Sequence, residues 1–189
     1  SKDISKKVHS SYLLKAQKGQ FTGCLAPFGY RKDPEDKNHL LIDEETAPIV
    51  RRLFAWALEG HGPNYIRRRL EDEKIPCPTY WNRVRGFRNV STKWEKKDPV
   101  NGRYMWDFSV IKDILMNPVY TGAIASQKKD YRFKIGTIGE KKPEDWIVVE
   151  NQHEPLVDRK TFDIVQRKLK SRQRPRQTGE ISLFAGLIK

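Results

Sequence analysis

WDFSVIKDILMNPVYTG, residues 106–122, is the stretch whose reading decides the fold. Phe108, Ile111, Ile114 and Leu115 recur at the three-and-four spacing of a buried helical stripe, and Ser109, Lys112, Asp113 and Met116 recur on the other side. Asp107 suits an N-cap. Asn117-Pro118 ends the helix, because proline disfavours the helical region for the residue before it. The pattern predicts a short helix with one face to pack and one face free to read something, then a sharp stop and the start of a strand.

Working outward, Asp43-Glu44-Glu45 opens a stronger helix, with acids placed where the helix dipole favours them and Pro48 near enough to the start to be tolerated. Its stripe is Val50, Leu53, Phe54, Ala57 and Leu58, and Gly60 stops it. A second helix is expected over 63–74, with Ile66 and Leu70 inward and Arg67, Arg68 and Arg69 largely outward. Two helices joined by a tight glycine turn make the first half of a helix-turn-helix. Residues 76–104 then lose periodicity: Arg83, Arg85, Arg88, Lys93, Lys96, Lys97 and Arg103 interleave with Tyr80, Trp81, Phe87 and Trp94. So long an irregular stretch inside a domain is functional or disordered. Its cations suit phosphates and its aromatics can pack or stack, the plainer alternative being a solvated loop anchored by one or two tryptophans.

At the N-terminal end, Ile4, Val8 and Tyr12 recur every fourth residue through 1–17, a stripe too thin to stand alone, which reads either as the tail of an element upstream or as a start added for expression. The glycine- and aromatic-rich stretch 19–30 reads as extended, and 30–32 and 40–42 as a hairpin. Beyond the opening helix, TGAIAS, 131–135 and 146–150 suggest a small antiparallel sheet. An Asp158-capped helix over 159–169 follows, with Phe162, Val165 and Leu169 buried. KSRQRPRQTGE has the composition of a linker or a groove-lying arm, and ISLFAGLIK turns apolar again, as a strand that continues would. The expected fold class is α+β: a helical, helix-turn-helix-like core with a small antiparallel sheet and a long basic insertion.

The chain's 189 residues suffice for one domain with arms. Lysine plus arginine is 37 against 24 aspartate plus glutamate, a formal charge of +13 that points to a polyanionic partner. No apolar run is long enough to span a bilayer and the start lacks a signal-peptide core, so a soluble, cytoplasmic protein is expected. Cys24 and Cys77 lack metal-ligand spacing and read as two reduced thiols. A phosphate-binding glycine loop, a dinucleotide fingerprint, a nucleophile elbow and a zinc-protease motif are all missing. His9, His39, His61 and His153 are scattered, and the acidic pairs are explained by helix-end charge. Binding is favoured over chemistry.

KAQKGQFTGCLAPFGY, LLIDEETAPIVRRLFAWALEGHGPNYIRRRLEDEKIP, WDFSVIKDILMNPVYTG and LFAGLIK, in that order, closely resemble the recombinase domain of the large serine recombinases, the integrases and transposases of phages and conjugative elements. The resemblance implies that residues 1–18 are the tail of a long helix from an N-terminal catalytic domain. Residues 19–170 would be the DNA-binding recombinase domain, and 171–189 a basic linker and strand leading toward a zinc ribbon. The serine nucleophile would lie in the catalytic domain, so no catalytic residue, metal or cofactor is carried over to this chain. What it does imply is site-specific binding of double-stranded DNA, positioning the enzyme on attachment sites for integration or excision. Ser109, Lys112 and Asp113 would read bases. Lys18, Arg67, Arg68, Arg83, Arg85, Arg88, Lys93, Arg172, Arg174 and Arg176 would follow the backbone or minor groove. The parent would be a dimer on each site and a tetramer in synapsis, and this piece a monomer. Residues 76–104 depart from an ordinary helix-turn-helix, whose turn has three or four residues. Two other readings fit the charge and helices: a stand-alone winged-helix-like regulator, and a protein-interaction domain with a merely solubilising basic face.

Overall fold

The structure, a computed structural model, describes residues 2–87, 98, 100–132 and 136–172. Helix α1 covers Lys2–Gln17, and strands β1 (Tyr30–Lys32) and β2 (Leu40–Ile42) form a hairpin. Helices α2 (Ala47–Glu59), α3 (Pro63–Asp72), α4 (Pro78–Val84) and α5 (Phe108–Met116) follow. Strands β3 (Ile124–Ser126), β4 (Lys129–Arg132), β5 (Gly136–Glu140) and β6 (Ile147–Val149) precede helix α6 (Arg159–Ser171). This is the α+β class read from the sequence, with small antiparallel ladders in place of one sheet.

The hub is α2, which touches α3, α5 and α6. Its Val50, Leu53, Phe54, Trp56 and Ala57 are buried against Ile66 and Leu70 of α3, Ile111, Ile114 and Leu115 of α5, and Phe162 and Val165 of α6. Phe54 meets Tyr120 at 5.7 Å and Phe162 at 6.1 Å between ring centroids. Fully burying side chains of this size contributes about 1.5–3 kcal/mol each, so this interface dominates the stability of the helical body. At the carbonyl end of α2, Lys168 of α6 donates to Leu58 O and Arg172 to Gly60 O, placing two cations where helix carbonyls lack partners.

Two buried phenols fasten the strands to this body. Tyr30 donates to Glu154 O at 2.9 Å and accepts from Leu156 N at 3.2 Å, and Tyr120 donates to Phe28 O at 2.9 Å. The ladders are antiparallel, pairing Tyr30 with Ile42, Ile124 with Val149, and Lys129 with Glu140. Each is two-stranded, and none pairs with a further strand among the described residues. Helix α1 lies against β3 and β6, yet Ile4, Val8 and Tyr12 stay half exposed or more, and Ala16 is the buried residue near its end.

Several expectations are corrected. Phe108 is 43 % exposed: it lies at the edge of the stripe in the first turn, and Val110 packs against the core instead. Asp43, Glu44 and Glu45 precede α2, which begins at Ala47; the Asp43 carboxylate accepts from the Thr46 hydroxyl at 2.5 Å. Part of the irregular stretch 76–104 is the helix α4, begun by Pro78 at a position that tolerates proline. The strand expected over 131–135 is β4 at 129–132, and residues 133–135 lie outside the described residues.

Candidate nucleic-acid interface

Helix α5 is fixed along one side and at both ends. Asp107 accepts from the Ser109 backbone N–H and from Ser109 Oγ, each at 2.9 Å, which satisfies an open amide of the first turn. The same Ser109 bonds, backbone first, hold the Asp107 carboxyl below the usual carboxylate range, with a smaller contribution from Arg67. Just before it, buried Trp106 donates from Nε1 to Ile75 O at 2.8 Å, tying the entry of α5 to the segment that leaves α3. At the far end, Gln166 Nε2 donates to Leu115 O at 2.6 Å. Asn117 ends the helix, its Oδ1 accepting from Val119 N at 3.3 Å and from Lys128 Nζ at 3.1 Å.

The outer arc of α5 is what remains open. Phe108, Ser109, Asp113 and Met116 are exposed and Lys112 half-buried. Lys112 has no ion pair or hydrogen bond among the described residues. Because the Ser109 hydroxyl proton is given to Asp107, its oxygen has only acceptor capacity left. The arc therefore offers a cation, an acceptor, a carboxylate and two apolar side chains on a rigid support.

The basic residues read from the sequence divide into two groups. Lys18, just beyond α1, and Arg68, on α3, are exposed and without an ion pair among the described residues. The others are engaged. Arg67 pairs with Glu71 at 3.0 Å, and Arg172 donates to Gly60 O. Arg85 bridges Asp43 at 2.6 Å and Glu45 at 2.8 Å, with its guanidinium 5.4 Å from the centre of the Trp81 ring. Arg83 is exposed on α4. Arg88, Lys93, Arg174 and Arg176 lie outside the described residues.

Lys128 has no signature in the sequence. Its ammonium lies at the C-terminal end of α5, bonded to Asn117 Oδ1 and 5.0 Å from the centre of the Trp146 ring, and burial pushes its pKa down against the opposing pull of Asp113. It joins the base of the β4–β5 ladder to the end of α5. Only the folded chain, which brings residues 117, 128 and 146 together, reveals it. Among the described residues no group of three or more His, Cys, Asp or Glu side chains could hold a metal ion, and no helix is long and apolar enough to cross a membrane.

A sequence model of one family, described as Recombinase, matches residues 44–172, which run from just before α2 through α6. The chain belongs to the Recombinase family. The Recombinase match takes in α5, the corner before it and the ladders after it. Among curated relatives, the uncharacterized protein YefB of Bacillus subtilis (strain 168) is 36 % identical over 86 residues, which are 44 % of this chain and 28 % of that protein. Two solved structures share the fold at 16 % identity and a TM-score of 0.52, each over 87 % of this chain. One is a crystal structure of an LSR–DNA complex, of which the match covers 38 %, and the other comes from work on sequence requirements of the Listeria innocua prophage attP site, of which it covers 51 %. The chain thus has the fold of the recombinase domain of a large serine recombinase and spans only part of the length of each protein it matches.

Proposed function

We propose that this chain is a site-specific, double-stranded DNA-binding module that positions a serine recombinase on its attachment sites. The observation that carries the reading is the outer arc of α5: a helix held at both ends, on which Lys112 has no ion pair or hydrogen bond among the described residues, with Ser109 and Asp113 exposed beside it. A net charge of +13 supplies the complementary field for DNA. Lys112 is given a base contact, most simply to guanine O6 or N7 in the major groove. Ser109 and Asp113 would act beside it, as acceptors facing the amino groups of cytosine or adenine. Lys18 and Arg68 would take phosphates, with Arg88, Lys93, Arg174 and Arg176 as further backbone or minor-groove candidates. The reading gives none of the chain's residues a part in strand cleavage, and assigns that step, with dimer formation on each site and tetramer formation in synapsis, to the parent protein.

Selection from a random-sequence duplex pool, followed by affinity measurement on the winning and a scrambled duplex, tests this. The chain should enrich a motif, and Lys112→Ala should weaken binding to it by about 1–3 kcal/mol with little effect on the scrambled duplex. Equal weakening on both would take Lys112 out of base readout. Failure to enrich any motif would remove site-specific binding altogether.

A further inference from the structure

Phe108, Lys112 and Met116 form one ridge along the outer face of α5, at i, i+4 and i+8. Phe108 is 43 % and Met116 41 % exposed, while the adjoining stripe of the same helix buries Ile111 and Leu115 completely. A single exposed apolar side chain needs no explanation. Two of them on the same open ridge, separated by a cation without a partner among the described residues, form a pattern of alternating chemistry.

Resting on the DNA-binding reading above, we propose that Phe108 and Met116 read thymine by contact with its C5-methyl group, one on either side of the Lys112 base contact. The thymine methyl is the apolar feature on the major-groove edge, and an aromatic or thioether side chain covers it without needing a hydrogen bond. The spacing fits. Successive ridge positions are about 6 Å apart along the helix axis, so the two apolar ends span about 12 Å, or three to four base-pair steps of about 3.4 Å. The motif implied holds two thymines, on either strand, three to four base pairs apart, with a guanine between them. A protein partner for this ridge is the competing occupant. The positive charge of the chain and the lone ammonium at the centre of the ridge favour a polyanion.

The test uses the duplex selected from the random pool, synthesised once with thymine and once with uracil, which lacks the methyl but keeps the same hydrogen-bonding groups. The chain should bind the uracil duplex about fourfold more weakly per methyl covered. The double variant F108A/M116A should bind the thymine duplex more weakly than the parent chain does and be indifferent to the exchange. Both side chains are largely outside the core, and a thermal melt of the variant at the parent temperature would confirm an intact fold. Equal binding of the two duplexes by the parent chain would overturn thymine reading while leaving DNA binding standing. So would a uracil penalty that persists in the variant. A chain that enriches no motif fails at the earlier step, the DNA-binding reading itself.

Discussion

Arg85 Nη1 lies 2.6 Å from Asp43 Oδ2, joining the residue that caps the C-terminal end of α4 to the turn that leads into α2. Burial alone would raise the Asp43 pKa, but hydrogen bonds from Arg85 and Thr46 outweigh it and hold the carboxyl below its usual range. A carboxylate whose folded pKa is depressed contributes stability above its unfolded pKa of about 3.9 and loses it as pH falls through the folded value. Arg85→Ala leaves the buried Asp43 without its cation and should cost about 2 kcal/mol at neutral pH, read as a lower denaturant midpoint. The deficit should shrink as pH falls below about 3.9, where the parent begins to lose the same contribution. A deficit independent of pH would mean that Arg85 acts through packing on Trp81.

Gly122 has φ of +84°, and a Cβ built there would meet the carbonyl oxygen of His153 at 2.8 Å. Gly86 has the same φ with nothing within 4 Å of such a Cβ. The left-handed conformation alone costs a non-glycine residue about 1–2 kcal/mol, so Gly86→Ala should lose that amount and Gly122→Ala distinctly more. Equal losses would show that the His153 carbonyl yields freely, and that the 153–157 segment is not held as closely as its bonds to Tyr30 and Tyr120 imply.

His153 is buried with Nε2 2.7 Å from Val119 O and its ring edge-on to Tyr30 at 4.8 Å. Burial lowers its pKa, only partly offset by the bond to Val119, and His39 lowers it further. The unfolded chain then takes up a proton, near pH 6.5, before the folded one does. Stability is therefore full above that pH and declines below it. Urea unfolding at pH 7.5 and 5.5 should show the parent losing stability, and His153→Gln, which can still donate to Val119 O, showing a smaller loss. The same loss in both proteins would locate the pH sensitivity elsewhere.

How far the sequence revealed this molecule depends on the range of each interaction. The cap at Asp107, the stop at Asn117-Pro118, the stripe of Ile111, Ile114 and Leu115, and Asp158 accepting from Thr161 N at 2.9 Å are local, and spacing alone exposed them. Phe108 was misread because periodicity gives an angle around the helix but not where the packing surface ends. The roles of Arg85, Arg172 and Lys128 depend on partners 42, 112 and 11 residues away in sequence, and composition shows only that each is basic. The open arc of α5 was legible as a pattern. Which of its side chains retain free hydrogen-bonding capacity was not, since that follows from the Asp107–Ser109 geometry.

Arg68 and Arg69 are neighbours on α3 with the same charge and different surroundings. Arg69 pairs with Glu73 at 3.2 Å, and its guanidinium lies 4.7 Å from the centre of the Trp56 ring, where Arg52 lies too. Arg68 is exposed and has no such partner among the described residues. A phosphate contact releases condensed counterions, so its loss lowers the slope of log affinity against log salt by about 0.9. Arg68→Ala should reduce the slope by about that amount on selected and scrambled duplexes alike and leave stability nearly unchanged. Arg69→Ala should reduce stability by uncovering Trp56, with a smaller effect on the slope, because its charge is already offset by Glu73. The same slope change for both variants would mean that the field of the whole chain, and not a contact at Arg68, sets the salt dependence.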